Sequence, residues 1–145
     1  MKIAEISINY RPLKQDTEPT KVSSSKDSVD FFRKIWSARM QYIEEFYILL
    51  LNRSNRIIGY LKVSEGCCAG TVVDPKIIFQ GALKSNAQAI IMCHNHPSGN
   101  LKPSDADIQL TKKVRDAGLM MEIPVLDHVI LTYEGYFSFA DEGMM

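Results

Sequence analysis

Residues 87–107 read AQAIIMCHNHPSGNLKPSDAD, and the fold is decided there. Ala87–Cys93 is short, continuous and apolar, consistent with a strand buried on both faces. The Pro, Ser, Gly and Asn that follow His96 force a sharp turn, and Ser104 stands at the head of a helix expected over about 105–118. Its expected core stripe is Ala106, Leu110, Val114 and Ala117. Upstream, Asp74-Pro75 is an N-cap followed by proline at the first helical position. The helix it opens should run about 75–85 and bury Ile78, Phe79, Ala82 and Leu83.

Before it lies a loop of small residues, Gly66–Thr71, that includes the vicinal Cys67 and Cys68. Two apolar runs, Glu45–Leu51 and Arg56–Val63, are joined by Asn52-Arg53-Ser54-Asn55 and predict a β-hairpin. Val29, Phe32, Trp36 and Met40 recur at helical spacing and predict a helix over about 26–40. Residues 1–10 alternate like a strand, and residues 11–28 read as an exposed arm. Downstream, Glu122–Thr132 and Tyr136–Phe139 are strands around a Tyr133-Glu134-Gly135 turn. Strands and helices thus interleave throughout, which predicts an α/β fold with a mixed central β-sheet flanked by helices. The expected organisation is an N-terminal strand and arm over 1–25 and one domain over 26–145.

Composition sets the outer limits. The 145 residues include 17 basic and 17 acidic side chains, so the net charge is zero. Residues 1–43 hold eight basic and five acidic groups and residues 101–145 hold four and eight, an asymmetry too mild for a nucleic-acid track. No apolar run approaches the ~18 residues of a membrane-spanning helix, and the charged, alternating residues 2–8 are unlike a secretion signal. Three cysteines, two of them adjacent and none in a C-x-x-C pair, argue against a disulfide framework and a thiolate zinc ribbon. A reducing, cytoplasmic setting is expected. Cys93 should alternate away from His94 into the core.

The histidines are unevenly placed: two of three fall in His94-Asn95-His96. In extended backbone, residues i and i+2 share a face, so the two imidazoles can converge on one ion. Asp107, one turn into the following helix, can face back toward them. Two histidines, an aspartate and a water make a four-coordinate zinc site with an open position, the mark of catalysis. Ser104-x-x-Asp107 is also a helix capping pattern. His128, beside a strand, reads as a hydrogen-bonded structural residue, with support of a neighbouring ligand as its alternative.

The run His94–Asp107 closely resembles the JAMM signature of MPN-type zinc metallopeptidases and, more specifically, the HNHPSG-x(4)-S-x-x-D pattern of the RadC family. Further matching stretches are Glu44–Asn55 (EEFYILLLNRSN), Gly70–Phe79 (GTVVDPKIIF), Asn86–Ile90, Leu126–Ile130 (LDHVI) and Tyr136–Gly143 (YFSFADEG), so the resemblance covers about residues 25–145. It implies a cytidine-deaminase-like JAMM/MPN fold, with one Zn2+ held by His94, His96 and Asp107. It also implies a catalytic serine at Ser104 and a glutamate general base ahead of an early strand, two residues before a Phe. That position is Glu44, with Glu45 and Glu65 as alternatives. The implied activity is a zinc-dependent metallopeptidase or isopeptidase, in which a metal-activated water attacks an amide carbonyl of a peptide or protein substrate.

Longer RadC proteins carry an N-terminal helix-hairpin-helix region that residues 1–25 are too short to hold. The chain is therefore expected to be a short form, to which a DNA-repair association transfers weakly. The competing reading is a DNA-associated, non-enzymatic protein with a structural or vestigial metal site, which the zero net charge does not encourage. A zinc nucleoside deaminase needs an H-x-E and a P-C-x-x-C, and neither occurs.

Overall fold

The computed structural model of the chain describes residues 3–5, 7, 18–66 and 72–145. Most of the strand expected over 1–10, and both Cys67 and Cys68, lie outside them. Among the described residues, five strands form one mixed sheet: β1 (Glu45–Leu51), β2 (Ile57–Glu65), β3 (Ala89–Asn95), β4 (Val125–Leu131) and β5 (Tyr136–Ser138). Three helices accompany them: α1 (Ser25–Ile35), α2 (Pro75–Lys84) and α3 (Asp105–Met120). The strand order is β2-β1-β3-β4-β5. Only β3 and β4 run parallel, joined through α3 as a β-α-β crossover.

Alternation along the central strands divides the core in two. Phe46, Ile48 and Leu50 of β1 and Ile90 and Met92 of β3 pack with Ile78, Phe79 and Ala82 of α2 and Val114 of α3. Their neighbours Tyr47, Leu49, Leu51, Ile91 and Cys93 face the other way, against Val29 and Phe32 of α1. The sheet is therefore covered on both sides, and β1 and β3 are buried along their whole length. The hairpin between β1 and β2 closes at Asn55, whose φ of 56° suits an Asn in a tight turn. Thr20 and Val22 exchange backbone hydrogen bonds with Ile57 and Asn55 beside that turn.

Helices α2 and α3 start where their caps predict, and α1 starts at a cap of the same kind. Ser24 and Asp27 form a capping box on α1, Asp74 accepts from the Lys76 N–H with Pro75 behind it, and Ser104 and Asp107 form a second box on α3. Four sequence expectations need correction. The described part of the arm expected over 11–28 is not simply exposed: Val22 packs into the core and Ser28 is buried in α1, which begins at Ser25. Helix α1 ends at Ile35 rather than near 40: Trp36 turns extended, and the chain beyond it sends Ser37 and Arg39 to the Glu45 carboxylate. Leu83 is exposed, because the inward arc of α2 is Ile78, Phe79 and Ala82. Ala106 is exposed too, since α3 buries Thr111, Val114 and Gly118. At Gly118 a Cβ would stand 2.4 Å from the Ile123 carbonyl oxygen, so only glycine lets the chain return this closely under the helix. Among the described residues, no helix is long and apolar enough to cross a membrane.

Candidate metal centre

β3 ends in the middle of the sheet, and its last residues leave the core pointing in alternate directions. His94 pairs with Phe46 of β1 on one side and Ile130 of β4 on the other. Its ring lies parallel to that of Phe46, with centroids 5.9 Å apart. His96 follows just beyond the strand, its N–H donating to the Leu131 carbonyl at 2.8 Å. The chain then reverses through Gly99, whose φ of 82° needs a residue without a Cβ, and re-enters order at the N-terminus of α3. There the helix dipole favours a carboxylate, and Asp107 occupies the first turn.

These elements bring three side chains together. The Nε2 atoms of His94 and His96 are 2.9 Å apart. Asp107 turns Oδ1 toward His94 Nε2 at 3.2 Å and Oδ2 toward His96 Nε2 at 3.4 Å. His94, His96 and Asp107 each offer one ligand atom, all within 4.8 Å of one another. Ligands at about 2.0–2.2 Å from a tetrahedral zinc ion stand roughly 3.3–3.6 Å apart, so the donor set fits such an ion with little adjustment.

Protonation states agree with that fit. His96 Nδ1 lies 2.6 Å from the Asn100 carbonyl oxygen. A carbonyl only accepts, so Nδ1 carries the hydrogen and Nε2 is left to bind a proton or a metal. The hydrogen bond to Asp107 raises the pKa of His96 against the opposing effect of burial. Burial alone would lift the Asp107 carboxyl, but the two imidazoles outweigh it and hold the group well below the usual carboxylate range. The centre therefore presents an anion and two nitrogen donors to whatever cation occupies it.

Around this cluster the sequence candidates separate. Ser104 is exposed at the N-cap; its Oγ accepts from the Asp107 N–H at 3.1 Å, while its own N–H donates to Asp107 Oδ2 at 2.8 Å. The cap uses only a lone pair of the hydroxyl, so the O–H remains a donor for a substrate oxygen. Capping and catalysis are compatible at this residue.

Glu44 shares the face of Phe46, hence of His94, and its charge is near enough to help raise the pKa of His96. Glu45 points to the opposite face. Its fully buried carboxylate is held by Lys62 Nζ at 2.6 Å, Ser37 Oγ at 2.6 Å and Arg39 at 3.1 Å. Glu65 pairs with the same Arg39 and Lys62. Both alternatives to Glu44 are thus tied into one ion cluster. Cys93 is a free thiol buried in the α1-side core, as expected.

Two contributors were not singled out from the sequence. Asn95, fully buried between the two histidines, accepts from the Glu45 N–H at 2.7 Å and donates to the carbonyls of Met40 and Ile43 at 2.7 and 2.8 Å. The available signal was an asparagine at the end of an apolar strand, where burial demands partners. Thr111 is the other: its hydroxyl donates to the Asp107 carbonyl at 2.6 Å and lies 2.6 Å from His128 Nδ1. His128 is buried, and its Nε2 reaches His94 Nδ1 at 2.8 Å. Burial, reinforced by the neighbouring His94, pushes the His128 pKa well below that of a free imidazole.

Residues 22–144, which carry the whole of this sheet and centre, match the RadC-like JAB domain. The chain belongs to the RadC-like JAB family. Its mixed five-stranded sheet with three helices is the α/β arrangement of a JAB/MPN domain. A UPF0758 protein of Flavobacterium johnsoniae is 41% identical over 143 residues, 98% of this chain and 62% of the relative. Another, from Thermosynechococcus vestitus, is 47% identical over 98 residues, 68% of this chain and 39% of its own length. A third, from Porphyromonas gingivalis, is 45% identical over 103 residues, 70% of the chain and 45% of the relative. This RadC-like JAB domain therefore spans about two-fifths to three-fifths of the length of these relatives.

Proposed function

We propose that this RadC-like JAB domain is a zinc-dependent hydrolase of amide bonds, a metallopeptidase or isopeptidase acting on a peptide or protein substrate. The observation that carries the reading is the convergence of His94 Nε2, His96 Nε2 and the Asp107 carboxylate at the end of β3. Three protein ligands rather than four leave a coordination position for reactants, which separates a catalytic zinc from a structural one. When bound there, zinc supplies Lewis acidity and makes a water nucleophilic near neutral pH.

The chain's own residues supply the rest. Glu44 accepts the proton released as water attacks the carbonyl and returns it to the departing amine. Ser104 donates its hydroxyl hydrogen to the carbonyl oxygen as negative charge builds there. Both roles suit their positions: Glu44 shares the face of His94, and Ser104 caps the helix that presents Asp107.

Metal analysis tests the centre. Purified protein is expected to hold one equivalent of zinc, and His94→Ala/His96→Ala to hold none while remaining folded. Cleavage of a fluorogenic peptide and isopeptide library by the zinc-loaded protein tests the chemistry. A zinc-free wild-type protein that cannot be loaded sinks the proposal.

A further inference from the structure

His128 stands 34 positions beyond His94, yet its imidazole is built into the back of the centre. It is fully buried, parallel to the Phe139 ring at a centroid distance of 4.9 Å and tilted against Phe46 at 5.5 Å. Its two nitrogens meet Thr111 Oγ1 and His94 Nδ1. The direction of each hydrogen bond in this chain can be deduced from its far end.

The Asp107 backbone carbonyl is an acceptor only, so the single hydroxyl hydrogen of Thr111 points to it. Thr111 Oγ1 must then accept from His128, which places a hydrogen on His128 Nδ1. An imidazole enclosed by phenyl rings is neutral, because an unpaired charge there would be desolvated. Its Nε2 is consequently an acceptor, and the donor across the 2.8 Å contact is the Nδ1–H of His94. A neutral His94 with hydrogen on Nδ1 has a bare Nε2, the atom that faces His96 and Asp107.

We infer that His128 and Thr111 are positioning residues that lock His94 in its metal-binding tautomer and orientation, through a polarised chain anchored on the backbone of Asp107. The inference rests on the zinc reading above. Its structural logic is that one ligand residue, through its own carbonyl, sets the lone pair of another. Thr111 follows Asp107 by one helical turn, so the anchor and the carboxylate move together. Hydrogen bonds of this kind fix ligand tautomers and commonly contribute ~10–100-fold in metal affinity.

The test uses the full chain at pH 8 in two measurements. Long-range 1H–15N correlation on metal-free wild-type protein should find His94 with hydrogen on Nδ1, and competition against a chromophoric chelator gives zinc affinity. Thr111→Val and His128→Phe should each weaken zinc binding ~10–100-fold, and His128→Gln, whose amide oxygen can stand where Nε2 does, should recover most of the loss. Should His128→Phe not fold, the isosteric Thr111→Val carries the test alone. A wild type that binds zinc but has its metal-free His94 hydrogen on Nε2 overturns the inference, as do folded variants with wild-type affinity. A wild type that takes up no zinc overturns the metal reading instead, so the two failures are distinguishable.

Discussion

The N–H of Glu45 donates to the side-chain oxygen of Asn95 at 2.7 Å, binding the strand that follows Glu44 to the residue between the two histidines. The Asn95 amide also donates to the Met40 and Ile43 carbonyls, so one buried side chain serves three backbone groups. Asn95→Ala would strand all of them. At about 1–3 kcal/mol per buried unsatisfied group, with partial relaxation, urea denaturation should show a loss of roughly 3 kcal/mol. Asn95→Asp should be as damaging, because a carboxylate cannot donate to two carbonyls.

Glu44 and Glu45 should respond to substitution in opposite ways. Glu44→Gln should leave zinc stoichiometry and stability unchanged and reduce turnover by at least ~100-fold, the usual range for a general base. Glu45→Ala removes a buried carboxylate shared by Arg39, Lys62 and Ser37. It should lower unfolding free energy by about 2–3 kcal/mol, less than the ~3–5 of a wholly buried pair because its cations reach solvent. Full activity in Glu44→Gln would show that the base lies elsewhere.

Ser104 carries a cap and, on the proposed reading, a catalytic hydroxyl, and two substitutions can part them. Ser104→Ala should cost about 1 kcal/mol of stability through the lost N-cap and also depress turnover. Ser104→Asp retains an acceptor for the Asp107 N–H but has no hydroxyl to donate. Thermal melts should therefore show near-normal stability in Ser104→Asp, while peptide hydrolysis stays low. Recovery of activity together with stability would reduce Ser104 to a cap.

Zinc affinity should fall on acidification, and the sign follows from His96. Its pKa lies above that of a free imidazole because Asp107 hydrogen-bonds the protonated ring, against burial. Below that raised pKa the metal-free protein holds a proton on Nε2 that zinc must displace. Each further pH unit should weaken apparent affinity by about tenfold, and the dependence should flatten above the pKa. Chelator competition across the range tests this, and an affinity independent of pH would exclude His96 as a ligand.

Much of this centre is written locally. His94, His96, Ser104 and Asp107 fall within fourteen consecutive positions. Strand alternation, a turn that needs Gly99 and a capping box suffice to predict that His94, His96 and Asp107 face one another, because each of those effects acts over a few residues. Hairpin, helix starts and the mixed sheet were legible for the same reason. Which glutamate lies on the His94 side of the sheet is a different kind of fact. Alternation says that Glu44 and Glu45 point apart, but only the Phe46–His94 register and the Arg39–Lys62 cage around Glu45 decide which face each takes. The exposure of Leu83 and Ala106 and the early end of α1 were likewise set by what each surface packs against. His128 is the clearest case: its role comes from a sheet register, a helix crossing and a threonine on another element. Local sequence carries conformational preference and periodicity; the partner of a buried polar group is chosen only when distant segments close around it.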